Sequence, residues 1–295
     1  MHVPVLLQEV LELLDPRPGD FIIDGTVDGG GHAEAILRAI APTGKFLGID
    51  LDEAMLADCK ARIAPRNGIT LLVQNYANLP GILAREKLGK ANGLLLDLGF
   101  SSEQLKRSGR GFSFSDESRD EPLLMTYDDS RTPVRETLRT ISEKELAGVL
   151  QGLGGERYAD RIARAIIERR RKRDGLVTSG DLVGTVRAAL PKGYERGRID
   201  PATRTFQALR IMANGELENL EKVLGSLENI LAPGGRVAII SFHSLEDGIV
   251  KRSFRDMAKR SKLELLTKKP IVATREEIMK NPRSRSAKLR GGKLK

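Results

Sequence analysis

Three short apolar runs, each closed by an aspartate, constrain this chain more than any other feature. They are Phe21-Ile22-Ile23-Asp24, Lys45-Phe46-Leu47-Gly48-Ile49-Asp50 and Gly93-Leu94-Leu95-Leu96-Asp97. Runs of this length, without polar alternation and separated by helical spacing, read as strands buried on both faces of a parallel sheet. A fourth run, Ile69 to Gln74, leads into Asn75-Tyr76. Right-handed crossovers bring the ends of parallel strands to one edge, so the three carboxylates are expected together on the ligand side. Between the first run and its helix stands Asp28-Gly29-Gly30-Gly31-His32, whose glycines admit positive φ and the close approach of a ligand. A plain strand-to-helix turn uses the same residue types, so this stretch alone does not separate packing from binding.

Around these strands the chain alternates with helices. An opening helix, Leu6 to Leu14, stops at Asp15-Pro16-Arg17-Pro18-Gly19, and Asp52 is placed to cap the helix after the second run. The alternation breaks after Ser101-Ser102. Residues 108–130 are polar and rich in Gly, Ser and Asp, the composition of a long functional loop. Ser142-Glu143-Lys144-Glu145 reads as a capping box. Glu156 to Arg173 puts Ile162, Ile166 and Ile167 on one side of a helix, and Thr178-Ser179-Gly180-Asp181 introduces another over Leu182 to Leu190. One long helix is expected over Ala202 to Leu231, then a strand from Arg236 to Ser241 and a basic helix; beyond Lys268 the text turns polar and irregular. The expected fold is α/β. A discontinuous sheet domain (1–106 and 201–268) carries an all-helical insertion (107–200) and a basic tail (269–295).

The net charge is +9, unevenly spread. Residues 251–295 hold 16 Lys+Arg against 4 Asp+Glu, so a +12 segment joins a body of −3. Such asymmetry points to a polyanionic partner, nucleic acid rather than membrane because no amphipathic apolar face accompanies the charge. No run approaches the roughly 18 apolar residues of a membrane span, and the N-terminus lacks a signal-peptide pattern. A single cysteine, Cys59, excludes an internal disulfide framework and a cysteine-rich zinc site, and a cytoplasmic setting is expected. No second His or Cys stands at ligand spacing from a histidine, so no metal is expected. A hydrolase reading of Ser241, His243 and Asp247 fails because the strand lacks Gly-x-Ser-x-Gly.

Two ligands compete for the acidic edge. A dinucleotide wants Gly-x-Gly-x-x-Gly so that backbone amides meet pyrophosphate, and Asp28-Gly29-Gly30-Gly31-His32 lacks that spacing and sets a carboxylate where phosphate would arrive. S-adenosylmethionine has no phosphate, and its sulfonium and ammonium are cations. Asp24 and Asp97 suit its amino-acid end, Asp50 suits the ribose hydroxyls of either ligand, and Tyr76 suits an adenine face or simple packing. Methyl transfer is favoured over hydride transfer.

Several motifs together resemble the bacterial 16S ribosomal RNA cytosine-N4 methyltransferase family (RsmH, or MraW). They are His2-Val3-Pro4-Val5-Leu6-Leu7, Asp24-Gly25-Thr26 with Gly29-Gly30-Gly31-His32, Asp50-Leu51-Asp52, Asp97 through Leu105, and Arg110-Gly111-Phe112-Ser113-Phe114. Later come Pro201 through Ile211, Ser241-Phe242-His243-Ser244-Leu245-Glu246-Asp247, and Asn281 through Arg290. The resemblance implies a class I methyltransferase fold with a helical insertion and S-adenosylmethionine as donor. It implies a decoding-centre cytosine of 16S rRNA in the small ribosomal subunit as acceptor. The cofactor positions it implies are Gly30, Gly31, His32, Asp50, Tyr76, Asp97 and Gln104. This chain departs from the pattern at Asp28, usually Gly, at Leu124 and Thr126, usually an acid and a base, and at Asp200, often His. The loop Asp97 to Gln104 is expected to wall the cofactor from the base, with Asp97 either the catalytic residue that orients the cytosine amine or a binder of the cofactor alone, and with His243 and Ser244 lining the base pocket. Arg204, Arg210, Arg283 and Arg285 are expected to meet RNA phosphates. A non-catalytic RNA-binding assembly factor is the competing class. A DNA amino-methyltransferase would be expected to show Asp/Ser-Pro-Pro-Tyr/Trp where Asp97-Leu98-Gly99-Phe100 stands.

Overall fold

The computed structural model describes residues 4–63, 65, 67–98, 108–113, 115–172, 175–191, 193–194 and 200–295. The chain divides into two compact units, Met1–Ser101 with Leu217–Lys295, and Ser102–Glu216. In chain order the helices begin with α1 (Leu7–Leu14), α2 (Gly31–Ala39), α3 (Glu53–Arg62) and α4 (Leu79–Arg85). Then come α5 (Val134–Thr140), α6 (Glu143–Gly154), α7 (Ala159–Arg170), α8 (Ser179–Ala189) and α9 (Thr203–Asn214). The last are α10 (Glu216–Gly225), α11 (Leu227–Ile230), α12 (Ser244–Lys259) and α13 (Arg275–Lys280).

The first unit is built on strands β1 (Phe21–Asp24), β2 (Lys45–Asp50), β3 (Ile69–Val73), β4 (Ala91–Asp97), β5 (Leu231–Ser241), β6 (Leu263–Leu265) and β7 (Lys288–Leu294). Their order across the sheet is β3-β2-β1-β4-β5-β7-β6. Strands β1 to β5 pair in parallel, and β7 runs antiparallel between β5 and β6. This is the class I methyltransferase arrangement, a Rossmann-like sheet with one reversed strand. Side chains alternate between its two faces. Phe21, Ile23, Leu47, Ile49, Leu94, Leu96, Val237 and Ile239 share a core with residues of α4, α10, α11 and α12. Ile22, Phe46, Leu95, Ala238, Ile240 and Leu289 share the other with residues of α1, α2 and α3. Apolar residues at successive strand positions are therefore all used, as a doubly covered sheet requires.

Two expectations are corrected here. The long helix over Ala202 to Leu231 is three helices, because Gly215 takes a left-handed φ of 58° as the C-cap of α9 and Ser226 separates α10 from α11. The stretch beyond Lys268 is no irregular tail: it forms α13, a 3₁₀ turn (Pro282–Ser286) and β7. A Cβ on Gly291 would meet Leu13 of α1 at 2.9 Å, and one on Gly292 would meet Leu263 of β6 at 2.8 Å. The glycine pair thus lets two side chains rest on strand backbone. Charge hides this strand further. Arg290 is buried, with its Nε donating to Asp247 Oδ1 at 2.7 Å.

In the second unit α9 packs along α6, α6 along α7 and α7 along α8. The capping box expected at Ser142 forms, and a second one forms at Thr178. Helix α5 was not foreseen; it is a short turn behind Pro133 that buries Val134 and Leu138. Arg170 fixes its end by donating to the carbonyls of Leu138 and Ile141 at 2.9 and 2.6 Å. Among the described residues of both units, no helix is long and apolar enough to cross a membrane.

Candidate active site

The turn after β1 is stitched to both neighbouring strands. Gly25 N–H donates to Leu95 O at 3.0 Å, and Val27 N–H to Ile49 O at 2.9 Å. Thr26 N–H donates to Asp24 Oδ1 at 3.2 Å, while Thr26 Oγ1 accepts from Asp97 N–H at 2.6 Å. The start of α2 is equally constrained. Gly30 has φ +80°, and a Cβ there would lie 2.9 Å from Cys59 Sγ. At Gly29 nothing lies within 4 Å of an added Cβ, so this side of the turn is open.

Carboxylates gather around this turn. Asp24 is 1% exposed, and burial, reinforced by Asp97 and Asp50, pushes its carboxyl up to about 8. Burial pushes Asp50 up to about 6, against the N–H donors of Asp52 and Asp28, each 2.9 Å from a carboxylate oxygen. Half-buried Asp28 is pushed well up by burial and then by Asp50, Asp97 and Asp24, with the positive charge of Arg283 opposing. Asp97 is buried at the end of β4, its Oδ2 3.8 Å from His32 Nδ1. The other ring nitrogen, Nε2, lies 3.0 Å from Val5 O. A carbonyl only accepts, so Nε2 carries the proton of that hydrogen bond. Desolvated carboxylates this close together suit a ligand that brings positive charge.

The remaining expected positions are distributed as follows. Tyr76 opens the 3₁₀ turn Tyr76–Asn78 after β3, with its Cβ 3.1 Å from a Cβ built on Gly25, beside the site. Gln104 lies outside the described residues. His243 is the N-cap of α12: its Nδ1 accepts from Glu246 N–H, and Nε2 stands 3.2 Å from Glu246 Oε1. Arg210 forms a two-pronged pair with Glu216, Nε to Oε1 at 2.8 Å and Nη2 to Oε2 at 3.0 Å. Arg204 donates to Gly155 O at 3.1 Å. Arg283 and Arg285 sit in the Pro282–Ser286 turn, Arg285 exposed. Lys288 of β7 pairs with Ser241 at the carboxyl end of β5, which carries this turn to the same sheet edge as the acids. The charge of Arg283 on Asp28 was missed, since no local pattern links residues so far apart in sequence.

The model of the MraW methylase family matches residues 1–294. The chain belongs to the MraW methylase family. It is 44% identical to a ribosomal RNA small subunit methyltransferase H of Geotalea daltonii, over 98% of this chain and 97% of that protein. It is 43% identical to the protein of the same name from Heliobacterium modesticaldum, again over 98% and 97%.

In this MraW-family chain the departures from the usual pattern have local structural settings. Asp28 has φ +46°, in the left-handed region that favours glycine and that Asp tolerates better than most residues. Thr126 is buried and accepts from Arg110 through both its carbonyl (2.6 Å) and its Oγ1 (2.7 Å). Asp200 accepts from Ala202 N–H at 2.8 Å ahead of α9 and pairs with Arg187 at 2.6 Å. Nothing in the structure explains Leu124. Asp28→Gly relaxes φ and removes one of the crowded carboxylates. It is expected to raise the stability of the ligand-free protein by about 1 kcal/mol at pH 8 and by less at pH 4, where the carboxyl is protonated. Thermal unfolding at the two pH values checks this; a destabilised variant at pH 8 contradicts it.

Proposed function

We propose that this chain transfers a methyl group from S-adenosylmethionine to N4 of a cytosine in the 16S rRNA of the small ribosomal subunit, in the cytoplasm. The observation that carries the reading is the group of desolvated aspartates at the ends of β1, β2 and β4, in a chain of the MraW methylase family. When bound, S-adenosylmethionine supplies an electrophilic methyl on a sulfonium. Its two cationic centres fit the acids, and the open side of the turn at Gly29 admits its amino-acid end. On this reading Gly30, Gly31 and His32 form the wall of the cofactor site, Asp50 accepts from the ribose hydroxyls and Tyr76 covers the adenine. Asp97 stands between cofactor and base.

A cationic ligand must displace the protons that burial retains on Asp24 and Asp50. Both groups have folded values above the ordinary 3.8. The unfolded chain therefore binds fewer of these protons than the folded one, and ligand-free stability falls as pH rises from about 4 to 8. Cofactor binding releases the protons, so affinity rises with pH up to about 8: by up to about tenfold per pH unit over pH 6 to 8, where of the two only Asp24 still holds its proton, and more steeply below about 6, where Asp50 releases one too. Calorimetry in buffers of different ionisation enthalpy checks this; an affinity flat across that range contradicts it.

Asp97 is the assigned catalytic residue, and His243 is assigned to holding the start of α12. For RNA, exposed cations supply the contacts: Lys251, Arg252, Arg255 and Lys259 of α12, its C-cap Arg260, and Arg285. Arg285→Ala is expected to weaken RNA binding regardless of sequence and to reduce the salt slope by about 0.7. Arg210→Ala leaves Glu216 with Tyr127 OH but without its cation and lowers stability, leaving the slope as it was. Salt titrations of both variants decide, and equal slope changes contradict the assignment. The function itself is tested by incubating the chain with labelled S-adenosylmethionine and small subunits that lack the modification. Label in the RNA supports it. Tight binding without label favours the non-catalytic assembly factor.

A further inference from the structure

In the first turn of α13, Glu277 holds the third helical position, where an acid usually closes a capping box. Thr274 Oγ1 does accept from Glu277 N–H at 3.2 Å. The Glu277 carboxylate, however, leaves the helix and accepts from Leu6 N–H at 2.8 Å, 271 residues away in sequence. At α6, α8 and α12 the corresponding acid turns back to its own cap.

Leu6 N–H belongs to the same planar peptide as Val5 C=O. That carbonyl is the partner of His32 Nε2, at 3.0 Å. One rigid group therefore joins two side chains from opposite ends of the chain. Val5 and Leu6 are 2% and 1% exposed, so water does not compete for either hydrogen bond. Leu6 has φ +53°, a left-handed conformation costly for a branched side chain, held by what surrounds it. The Pro4 ring completes the seat, 3.1 Å from a Cβ built on Gly31.

We infer that Glu277 is a positioning residue for the methyl-transfer site, acting through the Val5–Leu6 peptide to hold His32 in its Nε2–H tautomer with Nδ1 turned toward Asp97. The inference rests on the placing of His32 at the cofactor. A carboxylate on the N–H polarises the peptide and strengthens its carbonyl as an acceptor, so each bond in the row supports the next. This arrangement parallels metal-bound histidines, whose outer nitrogen is oriented by a carboxylate or carbonyl, with losses of about 10–100-fold when that partner is removed. It gives Glu277 a role at the active site that needs no contact with substrate.

The test uses the full chain with ¹⁵N-labelled histidine, the ring signals assigned with His32→Gln. Glu277→Ala is expected to replace the single Nε2–H signature of His32 with a mixture of tautomers and to weaken S-adenosylmethionine binding about tenfold. Glu277→Gln retains an acceptor oxygen and restores both. Glu276→Ala removes an exposed acid from the same helical turn, one paired with Lys280, and changes neither readout. Thermal melts of all three variants show whether each is folded. An unchanged His32 signature in folded Glu277→Ala overturns the inference, as does loss of the signature in Glu276→Ala. A signature that moves in Glu277→Ala, with cofactor affinity unchanged there and in His32→Gln, sustains the relay and overturns the placing of His32 at the cofactor.

Discussion

Asp97→Asn is expected to remain folded and to lose about 10²–10⁴-fold in kcat at saturating cofactor. The lone pair of a cytosine amine is delocalised into the ring, so N4 attacks poorly unless an acceptor draws on its N–H. As the new N–C bond forms, the sulfur keeps the C–S electron pair and N4 must lose a proton. Asp97 suits both tasks because its position is over-determined. Its N–H donates to Thr26 Oγ1, and the next residue, Leu98, donates to Ile240 O at 3.0 Å. Asparagine preserves size and one acceptor oxygen but removes the charge that takes up the proton. The effect therefore falls mainly on turnover, with a smaller change, about tenfold, in cofactor affinity. Single-turnover kinetics with saturating cofactor separates the two, and unchanged turnover removes Asp97 from the chemistry.

Truncation before β7 is expected to abolish the fold of the sheet unit, and with it all cofactor binding. Removing residues 288–295 strips β5 of a partner over six registered positions and leaves β6 without a neighbour. It uncovers cores on both faces, since Leu289 belongs to one and Leu294 to the other. It also leaves Asp247 without Arg290 and Lys288, the cations that help hold its carboxyl below the ordinary range. Two buried leucines alone account for about 3–6 kcal/mol, against a typical stability of 5–15 kcal/mol. Loss of RNA binding in such a truncation would therefore report unfolding rather than a lost RNA contact. Circular dichroism melts of the truncated chain check this; a cooperative melt near that of the full chain contradicts it.

That truncation also marks where the sequence was legible. Strands β1, β2 and β4 stand out because a strand covered on both faces must be apolar along its length, and the aspartate that ends each run stands out against it. β7 was hidden because its buried positions are filled by a glycine pair and a paired arginine. These residues make sense only beside Leu13, Leu263 and Asp247. The active site divides in the same way. Asp50 and Asp97 end strands and could be named from the residues as candidates, whereas Gly30 and His32 were singled out as cofactor positions only through the family resemblance. Arg283 and Glu277 act on residues more than 250 positions away, and no local period encodes such a meeting. Asp28 stood out only as an unusual acid, and its positive φ supplies a reason that no residue pattern displays.

Mapping the product tests methyl transfer to the cytosine amine. Small subunits lacking the modification are incubated with the chain and isotopically labelled S-adenosylmethionine. Their 16S rRNA is then digested and the methylated nucleoside identified by mass spectrometry. The expected product is a single labelled cytidine carrying the methyl on its exocyclic N4, formed at least about a hundredfold more slowly with Asp97→Asn. Label on a ring carbon, on a ribose or on another base, or no label beside demonstrable cofactor binding, would contradict it.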